Sequence, residues 1–88
     1  MRQERNLASK MKAPDGETEL KGILEKIDGV SNVKPYGLVN NWGCMFEKNG
    51  KRHDLRRWAN CYGADLGFGI GATYSHNFEE ILKAVKEL

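Results

Sequence analysis

Long hydrophobic runs, cysteine pairs and a secretory leader pattern are all missing from this sequence of 88 residues. No apolar stretch approaches the roughly 20 residues that a membrane-spanning helix needs, so we expect no membrane partner. The first residues are charged and polar, without the apolar segment of a signal peptide. The only cysteines are Cys44 and Cys61, which argues against a disulfide framework. These absences favour a cytoplasmic protein with reduced thiols.

Motifs that carry chemistry are equally scarce. Cys44, His53, Cys61 and His76 show no C-x-x-C or H-x₃-H spacing, so no metal site is indicated. They also lack the local support of a thiol catalyst, and no paired carboxylates mark an active site. The glycines within 67–71 are spaced G-x-G-x-G, unlike a G-x-G-x-x-G phosphate loop. We therefore predict no enzyme, no catalytic residue and no cofactor.

Positive charge is concentrated in two segments although the net charge is only +2. Residues 1–12 contain four cations and one acid, and residues 48–57 contain five cations and one acid. The rest of the chain is therefore acidic. Clustered cations attract phosphates, and neighbouring aromatic side chains can stack on bases.

The N-terminal half is expected to contain a tail, a helix and the first strands. Residues 1–14 lack a sustained apolar period and are predicted to be a disordered basic tail, with 15–88 as one domain. Apolar residues at helical spacing predict a helix over 17–28, capped by Asp15 or Thr18 and ended by Gly29. An extended segment follows over 30–39, then a turn at 40–41.

A hairpin is the next predicted feature. Trp42, Cys44 and Phe46 share one face of a strand candidate, and Asn49-Gly50 is a strong turn signal. We expect the returning strand to be short and to end near residue 53. Helical spacing from Asp54 to Gly63 then favours a short helix that places Trp58 on an apolar stripe, with a continued strand as the alternative.

The C-terminal part is organised around residues 66–74. Apolar residues alternate there with Gly67, Gly69 and Gly71, which predicts a strand with one nearly bare face that something approaches closely. A capping-box pattern of Asn77 and Glu80, with Ser75 as a competing cap, opens the clearest amphipathic helix of the chain. The expected fold is α+β, with an antiparallel sheet of three to four strands, N- and C-terminal helices on one face, and a short helix before the last strand.

Two classes of function fit this pattern. The leading expectation is a non-enzymatic binding module that contacts nucleic acid through the basic N-terminal arm and the basic hairpin. The predicted contact residues of the hairpin are Lys48, Lys51, Arg52, Arg56 and Arg57. The alternative is a small interaction or inhibitor protein, of the kind that phages and mobile elements often encode. It would bind a protein partner through a sheet edge or through the glycine-rich strand face at Gly67, Gly69 and Gly71.

Overall fold

A computed structural model describes residues 13–38, 41–59 and 66–88. The elements in chain order are α1 (Glu17–Glu25), β1 (Val30–Gly37), β2 (Asn41–Lys48), β3 (Lys51–Ala59), β4 (Leu66–Ile70), β5 (Thr73–Ser75) and α2 (Phe78–Lys86). The strands form one antiparallel sheet in the order β1-β2-β3-β4-β5. The α+β class is confirmed, and the sheet has five strands instead of three to four. The predicted tail over 1–14 falls almost wholly outside the described residues.

The β2–β3 hairpin forms at the predicted turn. Asn49 and Gly50 have φ angles of 53° and 85°, as a two-residue type I′ turn requires. The returning strand, however, is not short. It pairs with β2 along its whole length, from Lys51 opposite Lys48 to Trp58 opposite Asn41. Asn41 accordingly belongs to a strand and not to the predicted turn.

The predicted short helix before the last strand is wrong over residues 54–59, which belong to β3; residues 60–63 lie outside the described part. Leu55 is buried on the helix-covered side, whereas Trp58 lies on the opposite side of the sheet. Leu55 and Trp58 are three residues apart, which is a helical spacing, but they lie on opposite faces of one strand. Hydrogen bonding to β2 on one side and β4 on the other decided for the strand.

The glycine-rich segment is a hairpin instead of the predicted single strand over 66–74. β4 and β5 pair from Phe68 opposite Ser75 to Ile70 opposite Thr73, which leaves a two-residue turn. Gly71 has a φ of 57° and Ala72 has no positive φ, the arrangement of a type II′ turn. The third of the alternating glycines, Gly71, therefore marks a turn and not a strand position.

Both helices pack on the same face of the sheet. α1 lies against β1 and β2, and α2 lies against β4 and β5. In the part of the chain that the structure describes, the buried apolar side chains form one core: Leu20, Leu24, Ile27, Val33, Cys44, Phe46, Leu55, Phe68, Ile70, Phe78, Ile81, Leu82 and Val85. Among the described residues, no helix has the length and apolarity to span a membrane.

The helix ends follow the sequence in part. Asn77 is the N-cap of α2, as predicted, and its side chain accepts a hydrogen bond from the Glu79 amide at 2.9 Å. The N-cap of α1 is Gly16, without a side-chain cap bond, instead of Asp15 or Thr18. α1 ends at Glu25 with Lys26 as its C-cap, so the predicted end at residue 28, closed by Gly29, is wrong. Gly29 lies in the turn before β1 with a φ of 87°, in the left-handed region that favours glycine.

Candidate nucleic-acid interface

The sheet face opposite the two described helices is called the open face below. Cross-strand register assigns these side chains to it: Lys34 and Tyr36 from β1, Met45 and Glu47 from β2, Arg52, Asp54, Arg56 and Trp58 from β3, and Tyr74 from β5. Several of them are large and exposed: Met45 by 39%, Trp58 by 37% and Tyr74 by 50%. A surface of this kind, with aromatic and cationic side chains side by side, suits a partner with planar rings and negative charge.

Two aromatic rings of the open face lie over glycines of a neighbouring strand, Tyr74 over Gly67 and Trp58 over Gly69. At Gly43 the nearest side-chain atom is the Tyr36 hydroxyl. A Cβ at Gly69 would lie 2.6 Å from Trp58 Cη2, closer than real Cβ atoms come. Gly67 and Gly69 are therefore required because the protein's own rings take the space above them, as in aromatic rescue of strand glycines.

The three glycines predicted to bind a partner differ in their exposure. Gly67 and Gly69 are buried beneath Tyr74 and Trp58, so their backbone is covered by the chain itself. Gly71 lies in the exposed β4–β5 turn. The close approach that the sequence pattern implied is an intramolecular one. What the glycine strand offers to a partner is the two rings that lie on it.

The two rings also contact each other and extend the aromatic surface. The centroids of Trp58 and Tyr74 are 5.3 Å apart with the planes tilted by 56°. Tyr74 further makes an edge contact with His76 at 5.2 Å. Sequence reasoning missed Tyr74 and assigned Trp58 to an apolar stripe. The signal was available in the glycine alternation, because bare strand positions leave room for large side chains from adjacent strands.

A polar network fixes the middle of the open face. The Tyr36 hydroxyl donates to Asp54 Oδ1 at 2.6 Å, and Arg56 Nε donates to the same hydroxyl at 3.1 Å. Arg56 Nη2 also lies 3.3 Å from Asp54 Oδ2. Burial and the hydrogen bond to Asp54 raise the pKa of Tyr36, so the phenol stays neutral. The hydrogen bond with Tyr36 raises the pKa of Arg56, which keeps the guanidinium charged.

The five predicted contact cations do not form one surface. Arg52 and Arg56 project from the open face, whereas Lys48, Lys51 and Arg57 project from the helix-covered face. Alternation along β3 separates them, because successive side chains of a strand point to opposite sides. Arg57 places its guanidinium carbon 5.4 Å from the centroid of the Trp42 ring. The local charge of the hairpin is thus divided between the two sides of the sheet.

Lys48 is a structural residue in this fold. Its side chain is only 6% exposed, and its ammonium donates to the carbonyls of Lys86 at 3.2 Å and Leu88 at 3.0 Å. Asn49 Nδ2 donates to the Leu88 carbonyl as well, at 3.2 Å. A cation at the end of a helix also interacts favourably with the helix dipole. Lys48 thereby ties the β2–β3 turn to the end of α2.

We expect Lys48→Met to lower the free energy of unfolding by about 1–3 kcal/mol, because the carbonyls of Lys86 and Leu88 lose a charged donor. Its affinity for any nucleic acid should stay at the wild-type value. Lys51→Met is the matched control, since Lys51 is exposed on the same face, and it should change stability by less than about 0.5 kcal/mol. Urea denaturation measures both. Equal stability of the two variants would mean that the hydrogen bonds from Lys48 to the end of α2 do not stabilise the fold.

The described cysteine and histidines show no reactive arrangement. Cys44 is fully buried, and burial above all raises the pKa of its thiol to about 11. The sulfur lies 3.5 Å from the Glu17 carbonyl. His53 packs its ring against Phe46 at 5.5 Å. Within the described ranges no three His, Cys, Asp or Glu side chains could hold a metal ion; Cys61 lies outside them.

Comparison with known proteins adds no assignment. No protein-family model, no curated protein and no solved structure matches this chain. Function therefore has to be argued from the open face itself.

Proposed function

We propose that this protein is a non-enzymatic binding module that contacts nucleic acid through its open face. The observation that carries the proposal is the exposure of Trp58 and Tyr74 on the same sheet surface as Arg52 and Arg56. Guanidinium groups attract phosphates and release counterions from them. Aromatic rings add stacking on bases, which tolerates any sequence.

The hypothesis that the basic hairpin contacts nucleic acid is thereby restricted to the cations on one side of the sheet. Of its five cations, Arg52 and Arg56 stand beside the exposed rings, while Lys51 and Arg57 lie on the other side of the sheet. Lys48 is occupied by backbone carbonyls. The basic N-terminal arm remains a proposed second contact, outside the described residues.

Charge reversal on each side of β3 tests this proposal. Arg52→Glu with Arg56→Glu removes the open-face cations. Lys51→Glu with Arg57→Glu is the matched control, since it makes the same change in charge in the same strand. Each pair also contains one arginine placed over an aromatic ring, Arg56 over Tyr36 at 5.8 Å and Arg57 over Trp42 at 5.4 Å.

We expect the open-face pair to weaken binding strongly and the control pair to weaken it little. Loss of two phosphate contacts should reduce the slope of log affinity against log salt by about 1.4 for a single strand. Fluorescence anisotropy with labelled single-stranded RNA, single-stranded DNA and duplexes, at several salt concentrations, measures this. Thermal unfolding confirms that all variants are folded. A wild-type protein that binds none of these at micromolar concentration refutes the proposal.

A protein partner is the second candidate, favoured by the exposed apolar area of Met45, Trp58 and Tyr74. The edges of the sheet are less suited than the open face to binding such a partner. β5 has only three residues, and β1 contains Pro35 and a register irregularity between Ser31 and Lys34; these features discourage addition of a strand. Affinity for a protein bound through the apolar side chains would depend little on salt, in contrast to phosphate contacts.

A further inference from the structure

Two concavities lie next to each other on the open face and share one residue. The first, about 230 Å³ in volume, is lined by Lys34, Met45 and Arg52 among others. The second, about 310 Å³, is lined by Arg52, Asp54, Arg56 and Trp58 among others. Both volumes are near or below the lower end of about 300–1,000 Å³ for drug-sized ligands. Each is therefore large enough for one small group only, and Arg52 lines both.

Within the part of the chain that the structure describes, Arg52 differs from Arg56 in having all its donors free, whereas two nitrogens of Arg56 are engaged. Among the described residues, no hydrogen bond or ion pair involves the Arg52 guanidinium, whereas Arg56 is bonded to Tyr36 and Asp54. A guanidinium has five N–H donors in a fixed fork that matches phosphate oxygens. An exposed, unpaired arginine between two small concavities is placed to bind a phosphate that links two groups.

Trp58 supplies an aromatic wall whose position is fixed. Its six-membered ring lies over Gly69, and the ring of Tyr74 lies beside it with a centroid distance of 5.3 Å and a tilt of 56°. More than a third of the side chain remains exposed, at 37%. A ring that is already held in place loses little conformational entropy when a base stacks on it. The second concavity is thus the stronger of the two base sites.

The shape of the surface argues against a duplex as the ligand. Five strands at a spacing of about 4.8 Å span roughly 19 Å, whereas the major groove of B-DNA is about 12 Å wide. A groove of that width accepts a helix or a two-stranded ribbon and not a whole sheet face. Bases within a duplex are also stacked on their neighbours and leave no free face for Trp58. A single strand does not have to admit the sheet into a groove, and its unpaired bases have free faces that can stack on Trp58.

We infer that the open face binds single-stranded nucleic acid across at least two successive nucleotides, with Arg52 donating to the phosphate between them. One base occupies each concavity, and the base in the second stacks on Trp58. This inference rests on the proposed nucleic-acid binding and specifies its ligand and register.

The test uses the full-length protein with a short single-stranded oligonucleotide and the duplex of the same sequence. The chain has two tryptophans, so a Trp42→Phe background leaves Trp58 as the only one. We expect the single strand to quench Trp58 fluorescence and the duplex to bind more weakly. Trp58→Leu should lower affinity for the single strand about 5- to 150-fold, from the loss of one stacked base. Trp58→Phe should restore most of it.

Arg52→Ala gives a second measurement if Trp58→Leu does not fold. Arg52 is exposed and unpaired among the described residues, so this variant should keep its stability and lose affinity for a dinucleotide more than for a mononucleotide. Equal binding of duplex and single strand, or unchanged Trp58 fluorescence on binding, overturns the inference while nucleic-acid binding stands. Absence of binding to every nucleic acid overturns both.

Discussion

Phe46→Ala is expected to lower the free energy of unfolding by about 3–5 kcal/mol, the range for deleting a buried aromatic ring. Phe46 is 1% exposed and belongs to the single core between the sheet and the two helices. Its removal deletes apolar contacts and leaves a cavity that a rigid sheet cannot close. A domain of this size has little stability in reserve, so most molecules of the variant should be unfolded at moderate urea concentrations.

Met45→Ala is the matched control for Phe46→Ala, because Met45 is the preceding residue of β2 and lies on the open face with 39% exposure. It should change the free energy of unfolding by about 0.5 kcal/mol or less. Urea denaturation followed by circular dichroism measures both variants. Similar losses in the two would mean that the sheet is covered on both faces and that no open face exists.

Gly43→Ala should destabilise the protein by about 3 kcal/mol, at the upper end for inserting a group into a packed site. A Cβ at Gly43 would lie 2.9 Å from Arg56 Cα and 2.8 Å from the Tyr36 hydroxyl, with the Leu55 carbonyl closer still. Two of these three neighbours belong to the backbone of β3, so β2 and β3 would have to separate. The Tyr36 hydroxyl would also be pushed away from Asp54.

Gly22→Ala is the control for Gly43→Ala, because the same substitution should stabilise the protein at this position. Nothing lies within 4 Å of a Cβ built at Gly22 in α1, so alanine should raise the free energy of unfolding by about 1 kcal/mol through its higher helix propensity. Thermal and urea unfolding of the two glycine variants should therefore shift in opposite directions. A neutral Gly43→Ala would show that the β2–β3 spacing differs from the one described.

Local chemistry determined several elements from the sequence by itself. Asn49-Gly50 dictates the hairpin because both positions need positive φ angles. Asn77 determines the start of α2 because its side chain satisfies a free amide at the helix end. The prediction that Trp42, Cys44 and Phe46 share one face of a strand is confirmed as well, because side chains alternate along β2. In each case the deciding property is local to a few residues of the chain.

The candidate site was decided by tertiary structure. Arg52, Arg56 and Trp58 fall on one face only because residues 51–59 continue as a strand between β2 and β4. Local spacing favoured a helix there, and hydrogen bonds to two distant segments outweighed it. Pairing of β4 with β3 and with β5 brought Trp58 over Gly69 and Tyr74 over Gly67. These contacts depend on the register between strands, which a helix over 54–63 and a single strand over 66–74 could not predict.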